Sequence, residues 1–106
     1  MNTISLHELY MRSQSLPSQE KILDVRTIEE YIHGHIPGSL HVPLGDLLQH
    51  VEELSTYDRL YIHCMHGVRA QRAYQLLEQS GLQNICVLAE CGFYEWVRGG
   101  YPTAPE

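Results

Sequence analysis

Residues 61–70 read Tyr61-Ile62-His63-Cys64-Met65-His66-Gly67-Val68-Arg69-Ala70. A short apolar run, Leu60 to His63, leads straight into a cysteine, and helical period resumes at Val68. That pattern is a strand, a turn and a helix start, with Cys64 at the carboxyl end of the strand. Open α/β sheets bind their ligands there, where loops enter helix N-termini. If the segment from Cys64 to Arg69 curls around the sulfur, successive backbone N–H groups point at it, and the helix that follows adds its positive dipole end. Both favour the thiolate, which is the nucleophilic form. Gly67 lets the turn take a positive φ and close tightly.

Arg69 supplies a fixed cationic fork suited to an oxyanion such as thiosulfate or a sulfonate. A cysteine by itself reads as a buried core thiol, since free cysteine is among the most buried residue types. Cysteine followed by Gly at the third position and Arg at the fifth, at a strand-to-helix junction, reads as a reactive site. His63 is expected to pack at the strand end rather than to take part in chemistry. His66 lies inside the turn, where a protonated imidazole would raise the local potential; the alternative is an exposed side chain with no role.

Outward from this segment, Lys21 to Val25, Leu40 to Val42 and Ile85 to Leu88 are also short, apolar and strand-like. Ser5 caps a helix through about Ser13, and Thr27-Ile28-Glu29-Glu30 is a capping box opening a short one. Leu44 to Leu54 is read as a helix with Leu47, Leu48, Val51 and Leu54 on one face. Val68 to Ser80 places Ala73, Leu76 and Leu77 similarly before the Gly81 stop, and a last helix spans Phe93 to Arg98. Strands alternating with helices predict an α/β fold with a mostly parallel sheet covered on both faces.

The 106 residues, 43% of them hydrophobic, make one domain with one core over 1–106. Folding at this length buries roughly 60% or more of the unfolded chain's surface, so no disulfide or metal staple is required. Cys64, Cys86 and Cys91 lack the paired short gaps of a structural zinc site. The N-terminus has no basic and apolar leader pattern and no apolar run approaches a membrane span, so a cytoplasmic, reducing location is expected. Thirteen acidic residues against seven Lys and Arg give a net charge of -6, which argues against nucleic acid as a partner. An anionic substrate would then depend on local dipoles and one or two placed cations.

Four stretches together resemble the rhodanese homology domain, over nearly the whole chain from Ile4 to Pro102. Ile22-Leu23-Asp24-Val25-Arg26 with Glu29-Glu30-Tyr31 is similar to the family's first signature, and Gly34-His35-Ile36-Pro37-Gly38-Ser39 to its second. Cys64 to Arg69 resembles the active-site loop, and Gly92-Phe93-Tyr94-Glu95-Trp96 with Gly100-Tyr101-Pro102 the end of the domain. The resemblance implies a three-layer α/β/α fold and a persulfide sulfurtransferase. In such an enzyme Cys64 attacks a sulfane sulfur, from thiosulfate or a persulfide, and passes it to cyanide or to an acceptor thiol, small or on a protein such as thioredoxin. It also implies that the loop amides of Met65, His66, Gly67, Val68 and Arg69 bind the substrate, with no metal or organic cofactor.

The related phosphatases and arsenate reductases carry a loop one residue longer, wide enough for a tetrahedral oxyanion, so the shorter loop here favours a sulfur atom. Asp24 and Arg26 are expected to be structural, Asp24 capping nearby N–H groups and Arg26 pairing with Glu29 or Glu30. His35, Pro37 and Gly38 are expected to form turns. Where relatives often carry a Gly-Gly pair, this chain has Cys91-Gly92, which makes Cys91 a candidate resolving thiol for Cys64, while Cys86 is expected in the core. Ala70 stands where the family often has Ser or Thr. Two other functions fit the resemblance: a protein-to-protein sulfur relay using the same residues, and a non-catalytic interaction domain, which usually lacks the cysteine.

Overall fold

The computed structural model describes residues 1–105. In chain order the elements are β1 (Thr3–Ile4), α1 (Leu6–Ser13), β2 (Glu20–Asp24), α2 (Ile28–Ile32) and β3 (Leu40–His41). A 3-10 helix (Leu44–His50) follows, then α3 (Val51–Leu54), β4 (Arg59–His63), α4 (Val68–Gln79), β5 (Ile85–Leu88) and α5 (Phe93–Arg98). The five strands form one sheet in the order β1-β5-β4-β2-β3, and every pair is parallel.

Period-two alternation along the strands divides the core between the faces of the sheet. Leu60 and Ile62 of β4, Leu23 of β2, and Ile85 and Val87 of β5 pack with Ala70, Ala73, Tyr74 and Leu77 of α4 and with Leu47 and Leu54. Tyr61, Ile22, Cys86 and Leu88 point the other way, into a cluster with Leu9 of α1 and Phe93 and Trp96 of α5. The result is the expected three layers. After β2 the chain steps to β3 on one side, then returns to β4 on the other. The carboxyl ends of β2 and β4 therefore flank the point where strand order reverses, which is where such sheets open a crevice.

The predicted Ser5 cap forms, as part of a full capping box, and so does the predicted capping box at Thr27. Ser5 Oγ accepts from Glu8 N at 3.2 Å while Ser5 N donates to Glu8 Oε1 at 3.0 Å. Thr27 N donates to Glu30 Oε1 at 3.0 Å and Glu30 N to Thr27 Oγ1 at 3.3 Å. Between Leu44 and Leu54 the outcome differs from the expected single α-helix. Three-residue winding through His50 stacks Leu44 and Leu47 on the core and turns Leu48 outward, leaving it 58% exposed. Strand β1, absent from the sequence reading, is two residues long and is defined only by pairing of Thr3 with Val87 and Ile4 with Leu88.

Candidate active site

Strand β4 delivers Cys64 onto the α4 side of the sheet, in register with Leu60 and Ile62, and the residue is only 1% exposed. Its sulfur nevertheless accepts two backbone hydrogen bonds, from Gly67 N at 3.0 Å and from Ala70 N at 3.2 Å. Of the expected donors Met65 to Arg69, only Gly67 reaches Sγ, and Ala70, one residue further into α4, is the second. The amides of Met65, His66, Val68 and Arg69 make no hydrogen bond among the described residues. Gly67 takes φ 110°, the left-handed conformation expected of it, and a Cβ there would also stand 3.3 Å from the backbone N and O of Cys91.

The loop is held from outside by the start of α5. Phe93 N donates to Cys64 O at 2.8 Å and Tyr94 N to Met65 O at 3.2 Å. Gly92 N in turn donates to Glu95 Oε1 at 2.8 Å, which fixes the first turn of α5. The sequence reading identified this segment only by its resemblance to the end of the domain. Its direct grip on the loop carbonyls was not legible, because backbone pairing between segments some thirty residues apart leaves no local signal.

Behind the loop lies a buried charged cluster. Asp24 accepts Arg26 Nε at 3.0 Å, Arg26 Nη2 at 2.8 Å and the Arg26 backbone N–H at 3.0 Å. Arg26 Nη2 also donates to Gly34 O at 2.8 Å, and its guanidinium lies 4.2 Å from the centre of the Phe93 ring. Arg26 thus pairs with Asp24 rather than with Glu29 or Glu30, because both side chains leave the end of β2 toward the α5 side. Desolvation works against ionising Asp24, yet the charge interaction with His63 and the hydrogen bonds and charge of Arg26 outweigh it and hold the carboxyl below its ordinary value. His63 is fully buried, with Nε2 unbonded and 3.7 Å from Asp24 Oδ2. Burial pushes its pKa down, against the pull of Asp24. It packs at the strand end, as its position implied.

Removing the carboxylate charge should be costly. Asp24→Asn leaves the Arg26 guanidinium buried without a counter-charge, and loss of one partner of a buried pair costs about 3–5 kcal/mol. In a domain of this size that lowers the melting temperature by more than about 10 °C, measurable by circular dichroism. A variant melting within about 2 °C of the parent would show that the pair contributes little.

Arg69 is not the free cation foreseen from the sequence. Its guanidinium meets the Glu30 carboxylate in a two-pronged contact, Nη1 to Oε1 at 2.7 Å and Nη2 to Oε2 at 2.9 Å. The capping box presents Glu30 from α2 and the loop presents Arg69 from α4, so only the packing of the two elements creates the pair. The bond from Arg69 is the main cause holding the Glu30 carboxyl at about 2, against an ordinary value of 4.5, with burial opposing it. The pKa is depressed, so the contribution to stability is full above pH 4.5 and is lost as pH falls through about 2. The urea midpoint of the parent should exceed that of Glu30→Gln by a constant margin above pH 4.5, and the margin should shrink toward pH 2. A margin independent of pH would exclude the charge as its origin.

His66 is exposed, with its ring 5.4 Å from that of Tyr94. The backbone of Cys91 adjoins the loop, 3.3 Å from a Cβ placed on Gly67, while its side chain packs with the cluster on the α5 side and that of Cys64 with the α4 side. Burial, with Glu95 and Glu90 adding to it, pushes the Cys91 thiol up and keeps it protonated. Cys86 is buried in β5, and all three cysteines are unpaired. His35 is more than a turn former: it stacks on Tyr31 at 3.9 Å, and its backbone pairs with Ala104. Among the described residues no group of His, Cys, Asp and Glu is placed to hold a metal ion, and no helix is long and apolar enough to cross a membrane.

The model of the rhodanese-like domain matches residues 5–98, which include the cysteine loop, the buried Asp24–Arg26 pair and the α5 brace. The chain belongs to the rhodanese-like domain family. A rhodanese-related protein from Thermoplasma volcanium of known structure superposes with a TM-score of 0.85 at 31% identity, over 100% of both chains. The Bacillus subtilis protein YrkF, described provisionally as a sulfur carrier, is 35% identical over 90% of this chain and 53% of its own length. This rhodanese-like chain therefore spans about half of that relative. The thiosulfate sulfurtransferase GlpE of Coxiella burnetii is 29% identical over 78% of this chain and 76% of its own. The family includes sulfurtransferases, and the matched residues contain the unbroken run from Cys64 to Arg69.

Proposed function

We propose that the chain is a sulfurtransferase that carries sulfane sulfur as a persulfide on Cys64. The observation supporting this most directly is the pair of amide N–H groups bonded to Cys64 Sγ, at 3.0 and 3.2 Å, in a site closed to bulk water. Preorganised donors in a dry site stabilise a sulfur anion far more than the same donors would in water.

In the first half-reaction the Cys64 thiolate attacks the outer sulfur of the donor. With thiosulfate the S–S bond of the donor breaks and sulfite leaves with the electron pair, giving Cys64–S–S⁻. With an organic persulfide RSSH the products are Cys64–S–SH and RS⁻. In the second half-reaction a thiol R′SH takes the outer sulfur as R′SSH, or cyanide takes it as thiocyanate, and the Cys64 thiolate is restored. The four loop amides that bond nothing else, from Met65, His66, Val68 and Arg69, are the available donors for that outer sulfur. A relay between proteins uses the same residues, and the likeness to a protein described as a sulfur carrier favours it as a second reading. A reducing, cytoplasmic setting suits either, since the three thiols are unpaired.

Intact-mass measurement after incubation with thiosulfate or an organic persulfide should show a gain of one sulfur, located by fragmentation at Cys64. No adduct with any sulfane donor would reject the proposal.

A further inference from the structure

Thiosulfate is a dianion, and the surroundings of Cys64 offer it little free positive charge. The loop itself contributes Met65, Gly67 and Val68, with His66 as its one titratable side chain before Arg69. Arg69 is engaged on both prongs by Glu30. Arg26 is buried and engaged by Asp24. Arg98 lies across the groove with Nη1 on the Tyr94 hydroxyl at 3.0 Å, and Glu29 lines the same groove. Arg26 and Arg69 are thus neutralised by Asp24 and Glu30, which leaves Arg98, held on the Tyr94 hydroxyl, as the arginine of this group with no carboxylate partner among the described residues, in a protein of net charge -6. The groove beside the loop, about 530 Å³, is walled mainly by Met65, Phe93, Tyr94 and Val97. Most of its surface is apolar and suits a donor with a carbon body, while a small dianion would find there only Arg98, His33 and the loop amides.

Resting on the sulfurtransferase reading above, we infer that Glu30 is a specificity-determining residue. By occupying Arg69 it sets the site against anionic inorganic donors and toward organic persulfides whose carbon body lies along Met65 and α5. The half-reaction selected is Cys64–S⁻ plus RSSH giving Cys64–S–SH plus RS⁻, with no charge to be neutralised beyond what the loop amides supply.

The capping box allows a clean test, because glutamine serves at its third position as glutamate does. Glu30→Gln keeps the acceptor for Thr27 N while removing the charge that holds Arg69. The readout is the ratio of kcat/KM for thiosulfate to kcat/KM for benzyl hydropersulfide, taken on one preparation so that the folded fraction cancels. The ratio should rise at least about tenfold in Glu30→Gln, the worth of one charge-assisted hydrogen bond released to the substrate. It should return to the parent value in the Glu30→Gln/Arg69→Gln double variant, since the gain requires the freed guanidinium. A ratio unmoved by Glu30→Gln, or a rise that survives loss of Arg69, would overturn the assignment while leaving sulfur transfer intact. Failure of both donors to load Cys64 in the parent would instead remove the sulfurtransferase reading, and this inference with it.

Discussion

Cys64→Ser is expected to reduce sulfur transfer from every sulfane donor by at least about 10³-fold, to the level of the uncatalysed exchange. The cradle survives this change. A serine hydroxyl accepts hydrogen bonds from the Gly67 and Ala70 amides much as the sulfur does, and both side chains are small, so stability should change by less than about 2 kcal/mol. What is lost is ionisation. Thiols as a class reach the nucleophilic thiolate far more readily than aliphatic alcohols reach the alkoxide, and sulfur is the stronger nucleophile. The variant should therefore keep a native circular dichroism spectrum and urea midpoint, yet show no gain of sulfur by intact mass. Sulfur still found on the serine variant, at Cys86 or Cys91, would move the nucleophile elsewhere.

Gly92→Ala is expected to damage stability and activity together, by at least about 3 kcal/mol and about 100-fold. The backbone at Gly92 is extended, with φ -163°, so conformational freedom is not the reason for glycine here. The reason is proximity. An added Cβ would fall well inside contact distance of Cys64 O and 2.5 Å from Met65 O. Both neighbours are backbone, and both carbonyls are already hydrogen-bonded to the residues that follow Gly92, Cys64 O accepting from Phe93 N and Met65 O from Tyr94 N. The methyl group can be accommodated only if α5 and the loop separate, which breaks those bonds and displaces the loop amides from the sulfur. Misplacement of a reacting group by about 1 Å costs on the order of 10² in rate. Urea unfolding and the rate of sulfur loading would measure the two effects, and an alanine variant with parental values of both would show that the brace is not needed.

Gly92 and Gly67 mark how far local sequence carries. The need for a positive φ at Gly67 follows from a turn that must close around the sulfur within six residues, and the structure gives φ 110°. The need for glycine at Gly92 comes from a chain segment nearly thirty residues away. Thr27 and Glu30 divide in the same manner. Their capping box is local and was legible, whereas the use of Glu30 to hold Arg69 depends on α2 facing the start of α4. The two-residue strand β1 and the 3-10 winding that exposes Leu48 escaped detection because propensity over so few residues is outweighed by pairing and packing.

The amino-acid order alone determined the alternation of strands and helices, the parallel sheet, and the position of Cys64 at the mouth of a turn. These follow from side-chain period, caps and steric limits acting over a few neighbouring residues. Only tertiary structure decided which amides reach the sulfur, that Arg26 belongs to Asp24 and Arg69 to Glu30, and that α5 clamps the loop. Those are contacts between segments far apart in the chain, and a charge or an N–H group carries no mark of its partner until packing brings the two within about 3 Å.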